Sequence, residues 1–410
     1  MKAKKVISLL LTLAALLSLC ACGAAAPVQP ESAVPANEPA PASPVEAATP
    51  AEAAVDTNVT ITDMIGREIT VTPGAYERVV CIGAGALRMY CYVGDTALLC
   101  GVEDIDNETL SERPKMFDAV ARPYVLAYGD VFAALPSCGT GGPNAQTAEA
   151  EKILSCDPDI VISEYEDVEK ADALQAQLGV PVLTLRTGPD GVFGAEFRGS
   201  MELLGTVFGK TDKAAALLDF VDGEIAALSE RTADIPESAR PGVYICGLGN
   251  WGTTNHLYTA QNYKTFEIAN IRNVVTDLGK SGVQAIESEK FVALGEDMDV
   301  LILDAAAVKN IAPLYAEDPT MFDSCRAWRE GNVYLQMAYN AYYTNYELSL
   351  ANTWFIAKSI YPDRFADVDM AAKTDEITEA FLGKALAEEI FACPASFGGY
   401  QQIDTAAFFN

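Results

Sequence analysis

The sequence predicts an α/β protein of two lobes, each built on a parallel sheet, with one long helix between them. Three observations lead there. Short apolar runs alternate with amphipathic stretches, the alternation occurs in two separate sets, and a proline-free helical stretch lies between the sets.

In the first set, Arg78-Val79-Val80-Cys81-Ile82-Gly83 reads as a strand and residues 85–93 as the helix that follows. Asp159-Ile160-Val161-Ile162-Ser163 and Val180-Pro181-Val182-Leu183-Thr184-Leu185 read as further buried strands bounded by turn residues, with residues 168–178 helical between them. The second set repeats the theme in Gly242-Val243-Tyr244-Ile245-Cys246, Asp299-Val300-Leu301-Ile302-Leu303-Asp304 and Asn332-Val333-Tyr334-Leu335. Between the sets, Ala214, Leu217, Leu218, Val221, Ile225 and Leu228 recur at helical spacing, with no proline before Pro236. A helix of ~22 residues rises about 33 Å, enough for a stiff spine. The predicted organisation is a first lobe over residues 57–210, a connecting helix over 211–234 and a second lobe over 235–410, with a cleft between the lobes.

The first residues set the compartment. Lys2, Lys4 and Lys5 precede an apolar run of about 16 residues, shorter than the roughly 20 that a helix needs to cross the hydrocarbon core. This is the pattern of an export signal, expected over residues 1–21. It ends in Leu19-Cys20-Ala21-Cys22-Gly23, which resembles the lipobox of bacterial lipoproteins and implies a diacylated Cys22 anchored in the cell membrane. Residues 22–56 are rich in Ala, Pro and Glu with few large apolar side chains, so they are expected to form a solvated, disordered tether.

Losing three lysines with the signal takes the formal charge from −29 to −32, which argues against nucleic acid or anionic lipid as a partner. Eight cysteines remain beyond Cys22, none in a C-x-x-C pair, so neither a zinc ribbon nor a redox dithiol is indicated. Several lie inside apolar runs and are expected as buried thiols.

The order of several motifs is more specific. Ile61-Thr62-Asp63-Met64-Ile65-Gly66-Arg67-Glu68-Ile69-Thr70-Val71 comes first, then Glu77-Arg78-Val79-Val80-Cys81-Ile82-Gly83. Asp157-Pro158-Asp159-Ile160-Val161-Ile162 and Trp328-Arg329-Glu330-Gly331-Asn332-Val333-Tyr334 follow. Together they resemble the iron-siderophore and cobalamin class of ABC-importer substrate-binding proteins. The resemblance implies two Rossmann-like lobes on a helical backbone and a cargo of iron or cobalt chelate (ferric siderophore, corrinoid or haem). It also implies delivery to an ABC permease with its ATPase, and one permease-docking glutamate per lobe. Those glutamates match Glu151, seven residues before Pro158, and Glu289, ahead of Asp299, with Glu149 and Glu287 as near alternatives. A monomer without an intrinsic cofactor or resident metal is expected.

Three loops supply candidate ligand contacts. Tyr339, Asn340, Tyr342 and Tyr343 precede a helix expected from Asn345, because Thr344 and Glu347 form a capping box. Tyrosine offers a flat apolar face and a hydroxyl, which suits a planar or amphipathic chelate. Trp251, His256 and Tyr258 lie beyond the first strand of the second lobe, where ligands of α/β sheets bind. His256 is the chain's only histidine, which rules out a His-rich metal cage. In the first lobe, Gly83-Ala84-Gly85-Ala86-Leu87-Arg88 follows a strand and offers Arg88 to an anionic group, and Tyr165 ends another strand nearby. No Gly-x-Ser-x-Gly elbow or His-Glu-x-x-His motif is present. The competing readings are an envelope adhesin or sensory binding protein and, more distantly, an envelope hydrolase.

Overall fold

The computed structural model describes residues 57–409 except 116–120, 143–144, 146, 166, 250–251 and 341. The expected signal, tether and Cys22 lie outside the described residues, as does Trp251. No helix among the described residues is long and apolar enough to cross a membrane.

Strands β1 (Val59–Thr62) and β2 (Glu68–Val71) form an antiparallel hairpin that opens the chain. The first sheet holds β3 (Val79–Ile82), β4 (Leu99–Glu103), β5 (Ser137–Gly139), β6 (Ile160–Ser163) and β7 (Val182–Thr184). All pair in parallel, in the order β5-β4-β3-β6-β7. Its helices are α1 (Ala86–Val93), α2 (Pro123–Ala133), α3 (Ala150–Ser155), α4 (Val168–Leu178) and α5 (Ala195–Val207). The spine α6 (Thr211–Thr232) follows, burying Ala214, Leu217, Leu218, Val221 and Leu228 along one stripe.

The second sheet runs β10-β8-β12-β13-β14, from β8 (Gly242–Cys246), β10 (Arg272–Asn273), β12 (Val300–Asp304), β13 (Val333–Gln336) and β14 (Gln401–Gln402). Only β14 is antiparallel. A small ribbon pairs β9 (Tyr258–Thr259) with β11 (Gln284–Ala285). The helices are α7 (Lys264–Ile268), α8 (Ser288–Leu294), α9 (Ala305–Glu317), α10 (Arg326–Glu330), α11 (Tyr346–Ile360), α12 (Met370–Leu382) and α13 (Ala387–Ala392).

Both sheets are buried on two faces, which is why their strands read as continuous apolar runs. Alternate residues serve different cores: Val80, Ile82 and Val161 pack outward with Ile153 and Leu174, while Val79, Cys81 and Ile160 pack inward. In the second sheet, Val243, Ile245 and Ile302 join that same inner core, and Tyr244, Leu301 and Leu303 form a separate outer one. The inner faces of the two sheets therefore share one apolar layer, built largely from α1, α5, α6, α11 and α12. The rod does not hold the halves apart on its own. Helices α12 and α13 return to the first lobe, where Tyr128 donates to the Leu382 carbonyl at 2.5 Å and Phe381 meets Tyr92 edge-on at 5.0 Å. The second half of the chain is thus not confined to the second lobe. Lys373 braces α12 to the spine at Glu224, 3.2 Å away.

All eight described cysteines are free, six of them buried.

Candidate functional site

In each lobe the strand order reverses beside the first sheet strand, and the crevice at such a switch point is where α/β sheets bind ligands. In the first lobe that point lies between the ends of β3 and β6, at Gly83 and Glu164. In the second it lies between the ends of β8 and β12, at Gly247 and Asp304.

A cavity of about 120 Å³ lies between the lobes. The first lobe contributes Asp190, Gly191 and Phe193, and the second Asn262, Tyr263, Lys264, Tyr339 and Asn340. Tyr339 and Asn340 were expected here; the others were not. Beneath them is a buried polar floor. The Gln336 amide donates to Asp304 at 2.7 Å, the Ala306 N–H donates to the other Asp304 oxygen at 2.8 Å, and the Tyr263 hydroxyl donates to Gln336 at 3.4 Å. Burial raises the Asp304 carboxyl to about 7, against the pull of those two donors.

Beside the cavity, the loop between β13 and α11 crosses into the first lobe. Tyr342 and Tyr343 both hold left-handed backbone, φ 53° and 63°. That conformation is costly for bulky residues and persists only where the surroundings fix it. Arg88 does much of the fixing: one guanidinium nitrogen donates to the carbonyls of Tyr342 and Thr344, each at 2.9 Å. The Tyr342 hydroxyl donates to Glu103 at 3.0 Å and accepts from the Gly142 N–H at 2.8 Å. Glu103 also accepts from the Gly83 N–H at 3.1 Å. Burial, with the nearby Asp106 carboxylate adding to it, raises Glu103 to about 8. Gly141 makes room for this arrangement: a Cβ there would lie 2.8 Å from the Glu103 Cβ, and its φ of +65° favours glycine.

Several expected contacts sit elsewhere. Arg88 is fully buried, 4.9 Å above the Tyr124 ring, so the structure places it as a tie between lobes rather than on the cavity wall. Tyr342 is likewise buried, while Tyr343 stays half exposed beside Gly85. His256 packs edge-on against Phe291 at 5.1 Å and Phe322 at 5.5 Å, in the outer aromatic cluster of the second lobe. Burial lowers it to about 4, so it is neutral at ordinary pH. Tyr258 lies on the β9–β11 ribbon, and Tyr165 packs half-buried against the outer core of the first sheet. None of Arg88, Tyr165, His256, Tyr258, Tyr342 and Tyr343 lines the cavity. The expected capping box does not form either. Asn345 takes the N-cap position of α11 without a side-chain cap bond, and Glu347 is buried, accepting from the Tyr92 hydroxyl across the lobes. Among the described residues, no group of three or more His, Cys, Asp or Glu is placed to hold a metal ion.

A family model described as periplasmic binding protein matches residues 89–336. The chain belongs to that family. No curated protein matches it. Among solved structures, the molybdate-binding protein MolA of Haemophilus influenzae, with molybdate bound, aligns at a TM-score of 0.58 and 19% identity, covering 80% of this chain and 98% of that one. The TroA-like periplasmic binding protein FepB of Veillonella parvula gives 0.57 and 19%, covering 80% and 97%. CeuE of Helicobacter pylori, in a nickel–histidine complex, gives 0.52 and 14%, covering 82% and 99%. At these identities the likeness establishes the fold: two parallel α/β lobes on a helical backbone. The family places this protein among the periplasmic binding proteins, whose members bind solutes.

Proposed function

We propose that this periplasmic binding protein captures a metal chelate between its lobes and presents it to an ABC permease while tethered to the membrane through lipidated Cys22. The observation that carries this reading is the cavity at the lobe boundary, walled by Phe193 from one side and Tyr263, Tyr339 and Asn340 from the other. Rings with polar tips suit an amphipathic chelate. At about 120 Å³ the cavity is smaller than the ~300–1,000 Å³ typical of ligand pockets, so a ferric siderophore, corrinoid or haem enters only as the lobes part. Parting the lobes there breaks the Tyr342–Glu103 bond together with the Arg88 bonds to the Tyr342 and Thr344 carbonyls.

The same small volume favours a second reading, a compact polar solute or oxyanion held by Asn262, Lys264 and Asn340 without opening. Calorimetric titration with ferric catecholate and hydroxamate siderophores, cobinamide, haemin and molybdate separates the two. One-to-one binding of a chelate supports the first, binding of molybdate alone moves the case to the second, and silence with every ligand sinks both.

Glu151 and Glu289 are exposed near the starts of α3 and α8 and are proposed as the permease-docking residues of the two lobes. Exchanging both for alanine weakens permease association and leaves solute affinity intact; unchanged association rejects the assignment. Anchoring is tested by mass spectrometry of the mature amino terminus, where an unmodified Cys22 removes that part of the proposal. Steady turnover of a solute would favour an enzyme instead.

A further inference from the structure

The two lobes carry the same six-residue pattern at the same place in the fold. Glu149-Ala150-Glu151-Lys152-Ile153-Leu154 spans α3, and Glu287-Ser288-Glu289-Lys290-Phe291-Val292 spans α8. Each helix leads into the strand that pairs in parallel with the lobe's first sheet strand, β6 beside β3 and β12 beside β8. The fifth position is a buried anchor in both, Ile153 at 0% and Phe291 at 1% exposure.

The sixth position is turned outward. Leu154 is 46% exposed and Val292 57%, the two most exposed large aliphatic side chains among the described residues. Each lies three residues after the exposed glutamate, on the same helical face. Both lysines are engaged locally: Lys152 pairs with Glu149 at 2.8 Å, and Lys290 donates to the Thr276 carbonyl at 2.8 Å. Glu149 also accepts from the Thr140 N–H at 2.6 Å. Among the described residues, Glu151 and Glu289 make no ion pair. Each lobe thus offers an uncommitted acid, Glu151 or Glu289, beside an uncovered aliphatic group.

We propose that Leu154 and Val292 are paired apolar anchors for the permease, each seated in a pit beside a basic residue that meets Glu151 or Glu289. This rests on the docking role given to those glutamates above. One pattern repeated in both lobes calls for two equivalent acceptor sites, as a two-fold symmetric partner supplies. The acids of this strongly acidic chain steer the encounter, and the desolvated aliphatic groups set how long it lasts.

The test uses the permease–ATPase complex of its importer in nanodiscs, with the full-length protein as analyte at low and high salt. L154S/V292S is expected to raise koff roughly tenfold per site, since ~1.4 kcal/mol is one decade. It should leave kon and its salt dependence unchanged. E151Q/E289Q is expected to lower kon and flatten its salt dependence. Wild-type koff in L154S/V292S with an impaired E151Q/E289Q overturns the anchors alone. Wild-type behaviour in both double variants overturns the docking face as well. Solute titration of each variant should match wild type, showing that the fold is intact.

Discussion

Glu103 ends β4 in the first lobe and Asp304 ends β12 in the second, each beside its lobe's first sheet strand. Both are buried, and burial raises both, to about 8 and about 7. Their partners differ. Glu103 receives the Tyr342 hydroxyl from the other lobe, whereas Asp304 is satisfied within its own lobe by Gln336 and the first turn of α9. The same costly feature, an acid removed from water at a strand end, serves in one place as a tie between lobes and in the other as a foundation under the cavity.

The largest expected effect comes from cutting the tie. Tyr342→Ala removes a buried ring and leaves Glu103 without its inter-lobe donor, a loss of about 3 kcal/mol by the usual cost of deleting a core aromatic. Chemical denaturation should show that loss, and small-angle scattering should show a larger radius. Tyr343→Ala, on a half-exposed neighbour, should change both far less. Equal effects would erase the distinction between tie and surface.

The two acids come next, through pH. A carboxyl raised by folding keeps its proton while the unfolded chain ionises, so stability falls as pH rises between the unfolded and folded values. For Glu103 that window runs from about 4.5 to about 8, and for Asp304 from about 3.8 to about 7. Melting temperature should therefore decline across it in the wild type. Glu103→Gln keeps an oxygen to accept both bonds and should decline less, with the gap fully open above pH ~8. Asp304→Asn should do the same with its gap fully open above pH ~7. Because glutamine keeps the bond from Tyr342, neither variant should change the scattering radius. Profiles parallel to wild type in both variants would remove the account of these acids.

His256 gives the smallest effect and the opposite slope. Burial lowers it to about 4 from an ordinary 6.5, so its contribution is present above pH ~6.5 and lost as pH falls toward 4. His256→Phe, between Phe291 and Phe322, should leave stability near neutral pH within about 0.5 kcal/mol, soften the acid-side loss and leave solute affinity unchanged. A large fall in affinity would put His256 back in the site.

What the sequence revealed follows the same division. The helix over residues 168–178 and the strand over 242–246 appear with the bounds expected, because periodicity and turn residues act locally. Asp167 accepts from the Lys170 N–H, and Gly179 closes that helix at φ 70°. The capping box at Thr344 and Glu347 failed because Tyr92 and Arg88, more than 250 residues earlier, claim that region. Strand β4 was missed because it carries Gly101 and ends in an acid, and the two-residue strands are too short for any period to show. Tyr339 and Asn340 were legible as a run of tyrosine and asparagine before a helix. Asn262, Tyr263 and Lys264 were not, since an ordinary polar loop becomes a wall only when Asp190 and Phe193 are brought opposite it.

Where cargo sits relative to the two lobes decides the rest. Amide hydrogen exchange with and without the ligand that saturates the protein in titration addresses it most directly. Cargo held between the lobes adds protection on both sides of the cavity at once, in residues 187–193 of the first lobe and in 260–265 and 337–345 of the second. Protection limited to one lobe, or found only on outer faces remote from these loops, would contradict it.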